Sequence, residues 1–428
     1  MSTLLRNALH PAPRLAGLAA LAMAGWLGLA TAQAQPNSAS APVRTGVVMA
    51  IGSGARDDND AVWTRLVQLA GGPGARVAVF TAPASNPDRA AEQIIASLAR
   101  RGAVGQHIRV GPGITGQDVA QAVRDPAWIA QVDAAQAVYF SGGAQARLID
   151  TLQPAGLSTP LMDAVRALFA RGGVVAGESA GAAVMSELIF RDAPDVLAVM
   201  KGRLRDGQEV DRGFGFVRHD VVIDQHLLKR GRIGRLLPLM VARGKPLGLG
   251  IEEQTAVVVR GDEVEVVGAH GVLVVELDQP AITVGPGPFN LHNGRISLLD
   301  HGDRFDLATR QLTPAPDKQA APRITAAAPA VADDPDEPAP IYPDLLGDNI
   351  ISGAMARLID SGRTELFGLA FHPRPARGDL QPALGFEWRL YTTPDTAAWR
   401  LPGRPYTLRR IGVDVTPIRL QQPLYKPY

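Results

Sequence analysis

The chain has 428 residues, 46% of them hydrophobic and 20% charged, with 43 Lys+Arg set against 42 Asp+Glu. So even a charge balance argues against a dedicated nucleic-acid binder, and the absence of cysteine excludes disulfides, thiolate metal sites, a cysteine nucleophile and a lipid-anchoring cysteine. Length and an ordinary apolar content predict one large domain, over 45–312, with an appendage.

Residues 1–34 read as a secretory signal. Arg6 and Arg14 precede an apolar stretch over 15–30, and Ala32-Gln33-Ala34 offers small residues for cleavage after Ala34. The alternative is an uncleaved membrane anchor, but the stretch sits at the short end of the ~17–25 residues that span a bilayer. The expectation is a secreted or periplasmic protein with no membrane contact after cleavage.

From Thr45 short apolar runs alternate with amphipathic stretches: 47–51 then 61–69, 76–81 then 90–101, 137–140 then 145–152. The alternation predicts an α/β fold, a mostly parallel sheet flanked by helices. Ile51-Gly52-Ser53-Gly54 and Phe140-Ser141-Gly142-Gly143 end two of these strands, and ligands of such sheets bind at the carboxyl ends of strands. After Gly250, β-branched runs at 256–260, 264–267 and 272–277 predict an antiparallel meander closing the domain. Residues 313–341, rich in Pro, Ala and Asp, read as a linker without chemistry. Beyond it, 350–359 predicts a helix, and 386–391 and 407–417 predict strands of a small β-rich C-terminal appendage spanning 342–428.

Residues 172–186 run from an apolar strand through Gly177-Glu178-Ser179-Ala180-Gly181 into an alanine-rich helix, which is the form of a nucleophile elbow. A strand turning directly into a helix strains the serine backbone, and side-chain-free neighbours permit the tight approach. A plain Gly-Ser turn before a small-residue helix would read alike from these residues alone. The Ala180 N–H and a second donor from Gly142-Gly143 are candidates for an oxyanion hole, where each donor contributes about 3–4 kcal/mol.

Such a serine needs a general base, and eight histidines compete. His10 falls in the signal and His107 in a different part of the fold. His226 ends the apolar run Val221-Val222-Ile223 at Asp224-Gln225-His226, the strand end where the nucleophile should also lie. A strand over 247–251 ends in Glu252-Glu253, and either acid could orient the imidazole. The order Ser179, His226, acid differs from the Ser, acid, His order of α/β-hydrolases.

Five segments in order resemble cyanophycinases, serine peptidases related to aspartyl dipeptidase: Phe140-Ser141-Gly142-Gly143-Ala144-Gln145; Gly177 to Ala182; Asp224-Gln225-His226 with Arg230-Gly231-Arg232-Ile233-Gly234-Arg235-Leu236; Gly250 to Ala256; and Gly302 to Leu307. The resemblance implies a class I glutamine amidotransferase-like sandwich, a Ser179–His226–Glu253 triad and an oxyanion hole from Gly143 and Ala180. It implies an exo-acting enzyme whose substrate is cyanophycin, a poly-aspartate backbone with arginine on each side-chain carboxylate, cut to β-aspartyl-arginine dipeptides. Substrate contacts then fall on Gln145, Asp224, Gln225, Arg230, Arg232 and Arg235. Arginines at i, i+2 and i+5 can pair bidentately with carboxylates, although a solvated helix start or structural ion pairs would use them equally well. Two positions depart from the family pattern: Glu178 stands where threonine is expected, and Ala144 where an acid or its amide is expected. An acid beside the nucleophile would hold a substrate cation or raise the pKa of His226.

Three rival readings remain: an aspartyl or isoaspartyl dipeptidase acting on soluble β-aspartyl peptides, a non-catalytic exported binding protein, and a nucleotide site at the lone Gly111-Pro112-Gly113-Ile114-Thr115-Gly116. The last lacks the acidic ribose partner and carries a proline inside the motif. No cofactor or metal is expected, since the histidines are scattered and no His-Glu-x-x-His occurs. A homodimer is compatible with the resemblance.

Overall fold

Short β-branched strands and capped helices alternate through the first half of the chain. Asn59, Asn86 and Thr159 each accept a hydrogen bond from the N–H three residues on, at 3.1–3.3 Å, and Pro87 and Pro160 open the first turns of two of these helices. These groups satisfy N–H donors that the helix itself leaves unpaired. The computed structural model describes residues 46–54, 57–277, 287–325, 340–421 and 424; the expected signal, 1–34, lies outside the described residues. None of their helices is long and apolar enough to cross a membrane.

The strands form two large mixed sheets. In the first, Val47–Ile51, Val174–Glu178, Ala137–Phe140, Arg76–Phe80 and Val104–Ile108 lie side by side and parallel. Helices Asp60–Leu69 and Pro87–Ala99 bury Trp63, Leu66 and Leu98 against Met49, Val79 and Tyr139 on one face. On the other face Phe80 and Phe140 share a core with Leu148 and Val165 of helices Gln145–Leu152 and Pro160–Ala170, and with Ile223, Leu249 and Val274 of the second sheet. Burying each such side chain contributes about 1.5–3 kcal/mol.

Three expectations are corrected. The runs after Gly250 are not one meander: Thr255–Arg260 and Glu263–Gly268 extend the first sheet antiparallel beside Val47–Ile51, whereas Val272–Glu276 crosses to the second sheet and pairs with Leu247–Ile251. Gly268 and Gly271, both at positive φ, let the chain change sheets between them. The β-rich tail is not a separate appendage. Its long strand Thr407–Arg419 lies between Leu291–Leu299 and Leu384–Tyr391, so the tail completes the same ten-stranded sheet that holds Leu247–Ile251 and Val221–Gln225. The stretch expected as a linker is ordered over 313–325: the fully buried Lys318 ammonium donates to Asp300 Oδ2 (2.8 Å) and Thr407 Oγ1 (3.0 Å), tying the turn at Asp300 to the tail. Residues 326–339 of that stretch lie outside the described residues.

Candidate active site

Five loops at strand carboxyl ends meet: Gly52–Gly54, Ser141–Ala144, Ser179, His226–Arg232 and Glu252–Gln254. Ser179 follows Glu178 at the end of the Val174–Glu178 strand with φ 52° and ψ −107°, a conformation costly for any residue with a side chain. Its N–H donates to Ile51 O at 2.9 Å. The flanking glycines are there for space. A Cβ on Gly177 would lie 2.4 Å from Gly181 O, and one on Gly181 would lie 2.3 Å from Phe140 O. The expected alanine-rich helix is a single turn, Ala180–Ala183, because the chain then folds back through Phe214 and Phe216, whose N–H groups bond to Val184 O and Met185 O.

Ser179 Oγ lies 3.0 Å from His226 Nε2, and His226 Nδ1 lies 2.7 Å from Glu253 Oε1. The imidazole is buried, 5% exposed, and burial is the main cause that lowers its pKa to about 4. The Glu253 hydrogen bond opposes this, and the charges of Arg230 and Arg232 add to it. The arrangement can pass a proton from the hydroxyl to Nε2 while the carboxylate holds Nδ1–H and the resulting positive charge. The expectation that Glu178 raises the His226 pKa is therefore not met. Glu178 instead accepts from Gly54 N–H at 3.1 Å and from Tyr139 Oη–H at 3.0 Å. Burial of the Tyr139 phenol, and after it the Glu178 carboxylate, pushes the Tyr139 pKa up.

The oxyanion candidates sit beside Ser179. A Cβ on Gly142 would lie 3.4 Å from Ser179 Cβ, and neither Gly143 N–H nor Ala180 N–H has an acceptor among the described residues. Next to them opens a cavity of about 590 Å³ lined by Gly54, Asp57, Trp63, Arg100, Gly142 and Glu178.

Of the six expected substrate contacts, three are buried, Asp224, Gln225 and Arg235, and two of these pair with each other. Arg235 and Asp224, 2% and 1% exposed, form a bidentate pair at 2.7 and 2.6 Å. The guanidinium also donates to Ala193 O and stacks 4.4 Å from the Phe190 ring centroid. They fasten helix Ile233–Ala242 to the Val221–Gln225 strand and are not open to a ligand. Gln225 is buried and accepts from Arg232 at 2.5 Å; burial lowers the pKa of half-buried Arg232 to about 10. Gln145 donates to Phe190 O at 2.8 Å. Arg230 is exposed.

Glu252, the acid left beside Glu253 as an alternative, has a different place. It is buried, and its carboxylate accepts from the N–H groups of Leu228 (2.6 Å), Lys229 (3.0 Å) and Glu253 (2.8 Å). Consecutive residues at a strand end point to opposite sides, so one glutamate reaches the imidazole and its neighbour clamps the loop that carries it.

Residues 49–267, just over half of the chain, match Peptidase family S51. The chain is 29% identical over 278 residues to a cyanophycinase of Geminocystis herdmanii, covering 63% of this chain and 96% of that protein. It is 34% identical over 196 residues to a cyanophycinase of Trichormus variabilis, covering 44% and 62%. Among solved structures, a peptidase from an acI-B1 Actinobacterium is similar at 20% identity and a TM-score of 0.45, covering 62% of this chain and 98% of that one.

Proposed function

The chain belongs to Peptidase family S51 and is a serine-type peptidase; from that premise we propose that it is an exported cyanophycinase that cuts the poly-aspartate backbone of cyanophycin to β-aspartyl-arginine dipeptides. The observation that carries the reading is the unbroken hydrogen-bond chain from Ser179 through His226 to Glu253. The relatives named cyanophycinase supply the substrate. Arg230, exposed four residues beyond His226, is suited to the α-carboxylate of an arginine attached to the polymer backbone. Export rests on Arg6, Arg14, the apolar stretch 15–30 and the small residues before Gln35. The class I glutamine amidotransferase-like arrangement belongs to the same proposal, supported by the parallel strands and the elbow at one of their carboxyl ends.

In this reading Ser179 Oγ attacks the scissile carbonyl while Nε2 of His226 takes its proton. Glu253 stabilises the imidazolium, and the N–H groups of Gly143 and Ala180 receive the oxyanion. Collapse of the tetrahedral species expels the amine, which takes the proton from Nε2. Water then adds to the Ser179 ester with His226 again as base, and the carboxyl product leaves.

The test is release of soluble dipeptide from purified cyanophycin by the chain from Gln35 onward, beside Ser179→Ala. Release of β-aspartyl-arginine that falls at least about 10⁴-fold in the variant supports substrate and nucleophile together. If the wild type leaves cyanophycin intact yet a fluorophosphonate labels Ser179, the hydrolase survives and the substrate is wrong.

A further inference from the structure

The tail beyond the S51 match builds one wall of a groove that nothing in the triad accounts for. Lys201, at the end of helix Val196–Met200, donates to Asp379 Oδ2 (2.6 Å) and to Gln381 O (2.9 Å), stapling the 371–383 loop against that helix. His372 Nε2 lies 3.5 Å from Asp195 Oδ1 on the same seam. Between the two walls runs a cavity of about 1110 Å³, with Arg203 on the helix side and Arg374 on the loop side. Both arginines are exposed, and neither guanidinium has a partner among the described residues.

This cavity adjoins a smaller one of about 300 Å³ that shares Asp195 and His372 with it and is lined further along by Asp344 and Arg230. Arg230 N–H donates to His226 O at 3.1 Å. The two cavities meet at the Asp195–His372 contact and together line a trough that has Arg230, on the loop of the imidazole, toward one end and the 371–383 loop toward the other. Its walls carry charge of both signs: Arg230, Arg203 and Arg374 against Asp195 and Asp344. A nucleic acid would meet carboxylates along the trough, and an apolar ligand would strand these charges. An extended peptide that bears carboxylates and guanidinium groups together can pair with both.

We propose that this trough is a binding site for the uncleaved part of a zwitterionic peptide polymer, so that the C-terminal segment holds the chain whose end lies at Ser179. The proposal rests on the cyanophycinase reading for the identity of the polymer. Retention of a long substrate through several contacts raises its effective concentration at the site.

The test uses the full chain carrying Ser179→Ala, pelleted with insoluble cyanophycin, with and without Arg203→Glu and Arg374→Glu. The expected result is that the double variant binds about tenfold more weakly, on the scale of losing two exposed charge contacts and replacing them by repulsion. In the Ser179 background, the preference for polymer over the shortest cleavable peptide should fall by a similar factor. Equal pelleting of variant and parent, no pelleting of the parent, or equal loss on polymer and short peptide each overturns the groove. The milder pair Arg203→Gln and Arg374→Gln makes the same comparison should reversed charge impair folding. Hydrolysis by the wild type is scored separately: a protein that cleaves the polymer and binds it without these arginines keeps its function and loses the groove, and a wild type that cleaves nothing loses the function first.

Discussion

At the scale of single residues, His226 combines a positive φ of 51° with near-complete burial, and its chemistry follows from that burial. Its pKa, lowered to about 4 from 6.5 by burial first and by Arg230 and Arg232 after the opposing Glu253 bond, keeps the imidazole neutral and able to accept a proton in mildly acidic solution. Measured kcat/KM should therefore hold through pH 6 and fall only as pH drops further. Arg230→Gln removes one lowering cause, so the acid limb should move to higher pH; a limb that stays put or moves down contradicts the assignment. Stability follows the same sign. The unfolded chain takes up the proton near pH 6.5 and the native one near pH 4, so this contribution is complete above 6.5 and is lost on acidification through that window. Arg235 behaves otherwise. Because it closes a buried pair with Asp224, Arg235→Ala should cost about 3–5 kcal/mol of stability in urea unfolding by stranding the carboxylate. A rise in KM at unchanged stability would restore the substrate role that the motif suggested.

At the scale of elements, the loop His226–Arg232 has no regular structure and is held from two sides. Glu252 receives two of its N–H groups. The tail segment before helix Ile350–Asp360 packs on its outer side, where Asn349 N–H donates to Leu228 O at 3.1 Å and Lys229 pairs with Asp348 at 2.6 Å. Gly231 sits under this contact at φ +57°, and a Cβ there would lie 2.1 Å from Leu346 O. Gly231→Ala should cost about 2–3 kcal/mol and lower kcat with it, read by thermal melting and single-substrate kinetics. Glu252→Ala leaves the N–H groups of Leu228, Lys229 and Glu253 without this acceptor and should cost a similar amount. Full activity in either variant would show that the loop needs neither clamp. Helices and strands themselves were legible because their apolar periodicity is local: 145–152 and 247–251 were read with the bounds the structure has. The single turn after Ser179 was not, since alanines favour a longer helix and only the distant Phe214–Phe216 segment stops it.

At the scale of the whole molecule, the tail is structural as well as a wall of the groove. Leu291, Ile296 and Leu298 share their core with Ile411, Val413 and Val415 of the long final strand. A chain ending at residue 341 would bare this apolar face and a nine-residue strand edge. It should aggregate or melt well below the full chain in size-exclusion and thermal measurements; a soluble monomer of unchanged Tm would show that the tail is dispensable. The family resemblance read from five motifs is borne out by the S51 match over 49–267. What sequence alone determined was what neighbouring residues encode: the strand–helix alternation, the elbow glycines around Ser179, and histidine and glutamate at strand ends. What only the tertiary structure decided was which partner each charge and each strand finds once the elements pack. Arg235 faces Asp224 rather than solvent, Glu252 faces the loop while Glu253 faces the imidazole, and the tail joins the sheet of Val221–Gln225. Those choices depend on burial, and burial is set by how separate elements pack against one another, so no local pattern records it.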